Sequence, residues 1–315
     1  MELLIKEFRK NLNGKMIFFL IAMFFVCLCI SICYVKLDFT IDNLKESVIL
    51  EYQVKLSGPL NAEKIEYLMD EEEFIIQTFN LYPEMHEKFL KGELERDEYN
   101  TFMDDYNSCM TREREFQYIY EKWQLVKEKE EPWIVYDYYW EKLFNQKNVV
   151  LFQLIAVIFL ACAVMLVEMR NGFYPILNST PFGRWNVLRC KMIYAVVSSS
   201  AFSLMFSFCN LYIYDKVYVL PQKGAPVYNI SLFSNVSASL TLLQYFWLNA
   251  AVRILLISLL CVLVVLACYY WKRPSALFML LCAIIVVSEI SYMIFNFQYG
   301  LPVSEIFQAN WILNI

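Results

Sequence analysis

Five stretches of the 315-residue sequence are long, apolar and almost free of charge, and they constrain the fold more than any other feature. They cover residues 16–35, 148–168, 192–214, 240–271 and 275–297, with at most one charged residue in each. A helix needs about 20 apolar residues to cross a hydrocarbon core of about 30 Å. We therefore predict an all-α integral membrane protein with five transmembrane helices. Because soluble domains are about 25% charged and this chain is 19% charged, a soluble enzyme is excluded.

The basic residues next to these stretches predict the orientation of the chain. Under strict alternation of five spans, ten bases fall on one side, and bases of this kind mark the cytosolic face of a membrane. They are Lys6, Arg9, Lys10, Lys15, Arg170, Arg184, Arg189, Lys191, Lys272 and Arg273. We therefore expect a cytosolic amino terminus. Residues 1–15 are predicted to form an amphipathic interfacial helix, because apolar positions and bases occupy opposite faces.

The stretch between the first two spans, residues 36–147, is acidic and predicted to be extracytoplasmic. It holds 26 acidic and 14 basic residues, a net charge of −12. Its apolar residues recur at helical spacing, so we predict a helical domain with one helix from about Asn61 to about Asn80 and another ended by Pro132. Residues 215–239 and the tail 298–315 are also expected on this side.

Motifs for catalysis and cofactor binding are absent from the sequence. The seven glycines are never closer than eleven residues, which excludes Walker A and dinucleotide-binding loops. His86 is the single histidine, so a zinc-hydrolase motif is excluded, and the acidic run at 70–73 is interpreted as a solvated helix face. We expect no catalytic residue, no cofactor, no metal and no nucleic-acid partner for this chain.

The second cytosolic segment, residues 169–191, is the most informative. It combines four bases with two glycines, two prolines and several large apolar residues. One interpretation is an ordinary interfacial loop that follows the positive-inside rule. The other is a short helix that lies along the membrane and offers a docking surface to a cytosolic partner.

The pattern E-x3-G-x4-L-x-S-T-P-x-G-R-x6-K in this segment resembles the loop between the second and third spans of ABC-2 type transporter permeases. The resemblance implies that the loop forms the coupling helix contacting a separate ATPase, which binds ATP-Mg. Leu56-Ser57-Gly58-Pro59-Leu60 resembles the external domain of a Gram-positive branch of that family. The residues carried over as ATPase-coupling are Glu168, Gly172, Leu177, Ser179, Thr180, Pro181, Gly183, Arg184 and Lys191. The family norm is six spans, so residues 298–315 are expected to match the segment before a sixth.

Two charged residues lie well inside the predicted spans, away from their ends, where charges are costly and mark functional hypotheses. Arg253 lies in the fourth span and Glu289 in the fifth. In antiparallel neighbours they can form an intramembrane charge pair. The alternative is that Arg253 extends to the membrane surface while Glu289 is protonated or faces water.

These observations lead to two functional hypotheses. The first is the permease subunit of an ABC-type transporter in a bacterial cell membrane, and the family resemblance implies export. Its partners are the cytosolic ATPase, a second permease subunit and the lipid bilayer. The alternative is a non-transporting sensor or immunity protein whose acidic external domain binds an extracellular peptide.

Overall fold

The fold is all-α, as predicted. The computed structural model describes residues 5, 9–11, 14–38, 46–170, 181–218, 220–236, 239–295 and 302–308, and these residues contain no β-strand. The helices in chain order are α1 (Gly14–Asp38), α2 (Glu46–Lys55), α3 (Ala62–Leu90), α4 (Arg96–Val126), α5 (Tyr138–Phe144), α6 (Lys147–Arg170), α7 (Pro181–Val217), α8 (Leu242–Trp271), α9 (Pro274–Phe295) and α10 (Val303–Gln308). The described positions within 1–15, namely 5, 9–11, 14 and 15, are helical, and the last two belong to α1.

The chain divides into two compact units. The membrane unit comprises Met1–Asp38, Tyr139–Leu220 and Gln244–Ile315. The inserted unit comprises Phe39–Tyr138 and Pro221–Leu243. The first part of the inserted unit ends at Tyr138, whereas the predicted insert runs to residue 147. The inserted unit also includes most of the segment predicted as a loop at 215–239.

Within the described ranges, five helices of the membrane unit are long and apolar enough to cross a membrane: α1, α6, α7, α8 and α9. The helix α6 lies at the centre, since 67% of its most apolar window is buried, compared with 17% for α1 and 11% for α9. Its side chains pack against residues of α7, α8 and α9, including Tyr194, Cys261 and Leu277. The prediction of five membrane-spanning helices is confirmed.

The helix α7 extends well beyond the predicted span at 192–214. It begins at Pro181, so residues 181–191 of the predicted cytosolic segment form its first three turns. Proline is favoured at the first position of a helix, because its missing N–H has no partner there and its φ is already helical. The span and half of the candidate docking segment are thus one continuous helix.

The inserted unit is built on an antiparallel hairpin of α3 and α4. Asn61 caps α3 by accepting a hydrogen bond from the Lys64 N–H at 3.0 Å. The helix continues past the predicted end near residue 80, through Pro83, to Leu90. Aromatic rings line the seam between the two helices, and the ring centroids of the stacked Phe89 and Tyr99 are 4.0 Å apart. This packing beyond Pro83 explains why the helix tolerates its internal proline.

A buried polar cluster joins the second part of the inserted unit to the first. The Asp137 carboxylate accepts hydrogen bonds from the Tyr118 hydroxyl at 2.7 Å and from the Ser231 N–H at 3.0 Å. Lys122 forms a salt bridge with Asp137 and also donates to the Ser231 hydroxyl. Burial opposes ionisation of Asp137, but the Lys122 ammonium and the other donors outweigh it and hold its pKa below the ordinary range. The cluster anchors the segment before α8 to α4.

Candidate functional site

Connectivity defines two ends of the membrane unit. We call the end where the inserted unit is connected the insert side; it contains the carboxyl ends of α1 and α7 and the amino ends of α6 and α8. The opposite end, where α6 leads towards α7 and α8 towards α9, is the loop side. Along this axis, the described residues include four groups of polar and charged side chains, one of them on the loop side.

The loop-side group contains the predicted coupling residues. Gly172, Leu177, Ser179 and Thr180 lie outside the described residues. Glu168 is in the last turn of α6, while Pro181, Gly183 and Arg184 form the first turn of α7. The ends of the predicted coupling segment are therefore the ends of two membrane-spanning helices.

Lys191, the last predicted coupling residue, is placed differently from the others. Its side chain is 1% exposed, and its Nζ donates a hydrogen bond to the Val164 carbonyl at 2.9 Å. It therefore joins α7 to α6 inside the bundle instead of offering a charge to a cytosolic partner. Sequence reasoning placed it on the surface because a basic residue next to a span normally lies in the polar interface.

The predicted pair of Arg253 and Glu289 is not formed, and this prediction is corrected. The Glu289 carboxylate accepts hydrogen bonds from the Ser304 N–H at 2.9 Å and from the Ser304 hydroxyl at 3.0 Å. Arg253 instead donates to the Asn249 Oδ1 at 3.1 Å. The short helix α10 is the physical reason, because its first turn offers a carboxylate both a free backbone N–H and a hydroxyl.

The second group surrounds α10 on the insert side. Lys147, the first residue of α6, forms a salt bridge with Glu305 of α10. The Tyr292 hydroxyl donates to the same Glu305 carboxylate at 3.1 Å. Together with the Glu289–Ser304 contacts, these bonds hold the segment after α9 against α6 and α9. The predicted extracytoplasmic tail at 298–315 thus contains a helix that packs on the bundle.

The third group is a closed ring of uncharged polar side chains that sequence reasoning missed. Gln146 donates to the Ser31 hydroxyl at 3.1 Å and to the Tyr214 hydroxyl at 2.8 Å. The Asn210 amide donates to the Gln146 Oε1 at 2.9 Å and accepts from Ser31 at 2.6 Å. All four residues are buried. The ring joins α1, the start of α6 and α7, and Asn210 within an apolar span was the available sequence signal.

The fourth group lies on one face of α8. Tyr245, Asn249 and Arg253 follow each other at intervals of four residues, which places them on successive turns. Tyr245 is fully buried and Asn249 is 3% exposed. Arg253 is partly buried, and its Nε is shielded from solvent without a hydrogen-bond partner in the described part of the chain.

One cavity among the described residues is apolar. It has a volume of about 370 Å³ between α1 and α7, and its walls include Leu20, Phe24, Ala201 and Phe202. Ser198 is its one polar lining residue, so hydrocarbon is the chemistry that it suits. Among the described residues, no three His, Cys, Asp or Glu side chains are arranged to hold a metal ion.

Comparisons with protein-family models, with curated proteins and with solved structures find no match for this chain.

Proposed function

We propose that this chain is the membrane-spanning permease subunit of an ABC-type transporter, driven by a separate cytosolic ATPase. The proposal has the ATPase dock on residues 169–191, with a second permease subunit completing the complex in a bacterial cell membrane. The amino terminus and the loop side are then cytosolic, and the inserted unit is extracytoplasmic. ATP hydrolysis takes place on the partner, so this chain needs no nucleotide-binding loop.

The observation that carries the proposal is the position of the coupling pattern between α6 and α7. The pattern begins with Glu168 at the end of α6 and closes with Lys191 in α7. The Lys191–Val164 hydrogen bond joins the two helices close to the loop side. A protein that binds between these ends can therefore displace α6 and α7 as one element.

The length and burial of α6 support a transmitting role for this helix. It has 24 residues, which at 1.5 Å per residue gives about 36 Å. Gln146 just before its first residue belongs to the polar ring, and Lys147 belongs to the group around α10. A movement imposed on the loop side thus reaches two polar clusters on the insert side through a single, mostly buried helix.

The experiment is co-purification from the native host. The tagged chain, solubilised in mild detergent, should retain a polypeptide with a Walker A motif and ATPase activity. Arg184→Glu should abolish this association, because a charge is reversed at the first turn of α7. Arg273→Glu reverses an exposed charge on the other cytosolic loop and is the matched control, so it should leave the association intact.

Two results would refute the assignment. The first is the failure of any Walker A polypeptide to co-purify with the unmodified chain. The second is an ATPase that remains bound to Arg184→Glu as well as to the control. The sensor or immunity hypothesis predicts the first result.

A further inference from the structure

Arg253 in α8 carries a positive charge that few groups in the described part of the chain hydrogen-bond or neutralise. A guanidinium has five N–H donors. One of them meets the Asn249 Oδ1 at 3.1 Å, and the buried Nε has no acceptor among the described residues. Glu289, the acid expected to neutralise Arg253, is bonded to Ser304 instead. No salt bridge involving Arg253 is found within the described ranges.

An arginine in this environment is expected to have an anionic partner. Charged side chains in membrane-spanning helices are costly, and they are normally paired or directed to a polar region. Removing a charge from water without pairing it is strongly unfavourable. The cost would be lowered by an anion that accepts hydrogen bonds from the terminal nitrogens of the guanidinium.

The position of Arg253 along α8 indicates where such an anion lies. Arg253 precedes Trp271 by 18 residues, so the two are about 27 Å apart along the helix axis. The hydrocarbon core is about 30 Å thick. If Trp271, next to Lys272, lies at one interface, Arg253 lies close to the other. Helical side chains point towards the amino terminus, as the bond to Asn249 shows, so the guanidinium extends towards the nearby polar boundary.

We propose that Arg253, together with Asn249, binds a phosphate oxyanion at the insert-side boundary of the membrane. The planar guanidinium fork matches two phosphate oxygens, and such charge-assisted pairs are the strong ones. The Asn249 side chain fixes the orientation of the fork by accepting from one terminal nitrogen. The phosphate belongs either to a phospholipid headgroup or to a free phosphate ion, and the site does not depend on the proposed transport function.

The test compares three probes on the full chain, delipidated in detergent micelles. Dioctanoyl phosphatidic acid carries the phosphate on a lipid, dioctanoylglycerol has the same acyl chains without phosphate, and inorganic phosphate is the free ion. Binding is followed by native mass spectrometry and by the shift in melting temperature. The variants are Arg253→Gln, Arg253→Lys and, as control, Arg273→Gln, which removes an exposed charge just beyond the other end of α8.

We expect phosphatidic acid to bind the unmodified chain and Arg273→Gln with equal affinity, and Arg253→Gln about ten-fold more weakly, as for the loss of a charged hydrogen bond. Dioctanoylglycerol should not bind at this site. Inorganic phosphate that binds and depends on Arg253 identifies the free ion as a ligand, whereas binding restricted to phosphatidic acid identifies the headgroup.

Two results would overturn the proposal: equal binding of phosphatidic acid to Arg253→Gln and to the unmodified chain, or no binding of either phosphate probe to the unmodified chain. Arg253→Lys keeps the charge but loses the fork, so weaker binding is expected. If Arg253→Gln does not fold, Arg253→Lys decides, and an unchanged affinity overturns the site.

Discussion

Replacing Lys122 with Met should release the second part of the inserted unit. Lys122 and Asp137 form a buried salt bridge whose side chains are 11% and 3% exposed. Removing one partner of such a pair costs about 3–5 kcal/mol, because the other charge stays buried. Asp137 keeps the Tyr118 hydroxyl and the Ser231 N–H, so we take the lower end of this range, about 3 kcal/mol.

The loss should be local, which makes amide hydrogen exchange on the full chain the appropriate assay. The segment Val227–Phe233 contains two 3₁₀ turns, and the Ile230 N–H donates to the Val227 carbonyl at 3.1 Å. If opening of this segment becomes easier by about 3 kcal/mol, its amides exchange about 100-fold faster. Lys88→Met is the control, because Lys88 forms an exposed salt bridge with Glu84 on the same hairpin.

A double substitution distinguishes the loss of the salt bridge from a general loss of stability. Lys122→Met with Asp137→Leu removes both charges, and replacing a whole buried pair by apolar residues is often close to neutral. The double variant should therefore exchange more slowly than Lys122→Met alone. Unchanged exchange in Lys122→Met, or acceleration spread evenly over both units, would show that the salt bridge does not hold this segment in place.

The pair also predicts a pH dependence with a definite sign. The folded pKa of Asp137 is lower than its unfolded value, so its contribution is present above the unfolded pKa of about 3.9 and is lost as pH falls through the folded pKa. Thermal unfolding of the inserted unit should therefore show no loss from this pair above about pH 4. In Lys122→Met the loss should begin at higher pH, because burial then raises the pKa of the carboxyl.

Three further predictions concern the membrane unit. Gln146→Leu removes three hydrogen bonds of the polar ring. At about 0.6 kcal/mol each, their loss should lower the free energy of unfolding by about 2 kcal/mol, as measured by denaturant titration in micelles. Lys191 should resist acetylation by an amine reagent in the folded protein, whereas the exposed Lys272 should be modified, as peptide mass spectrometry would show; equal modification contradicts the burial of Lys191. Glu305→Gln should lower stability by at most about 1 kcal/mol, because its salt bridge with Lys147 is partly exposed, and the difference should shrink at high salt in melting experiments.

The membrane-spanning helices could be predicted from the sequence because their signal is local. Transfer of a helix into lipid depends on the summed polarity of about 20 consecutive residues, which can be read without knowing any neighbour. The observed ends of some helices differ from the predicted ends, because tertiary packing extends these helices. The helix α3 passes through Pro83 because its aromatic seam continues to Phe89, and α7 reaches back to Pro181.

The partners of the polar residues could not be predicted, because they depend on which helices are neighbours and at what depth. Pairing Arg253 with Glu289 assumed that sequential spans meet at those positions, but the α10 segment supplies Ser304 to the glutamate. The ring around Gln146 unites residues up to 179 positions apart. Lys191 is a further example. Its position among basic residues next to a span predicted a site at the membrane interface, but its side chain is buried inside the bundle.

Photocrosslinking in the native host shows directly whether an ATPase lies against the first turn of α7. A photoreactive amino acid replaces Phe182, in the first turn of α7 and inside the coupling pattern, or Tyr270, which is exposed near the end of α8. Position 182 should capture a polypeptide with a Walker A motif, identified by mass spectrometry, and position 270 should not. Capture of lipid alone at position 182, with no ATPase at either position, would contradict the proposed docking.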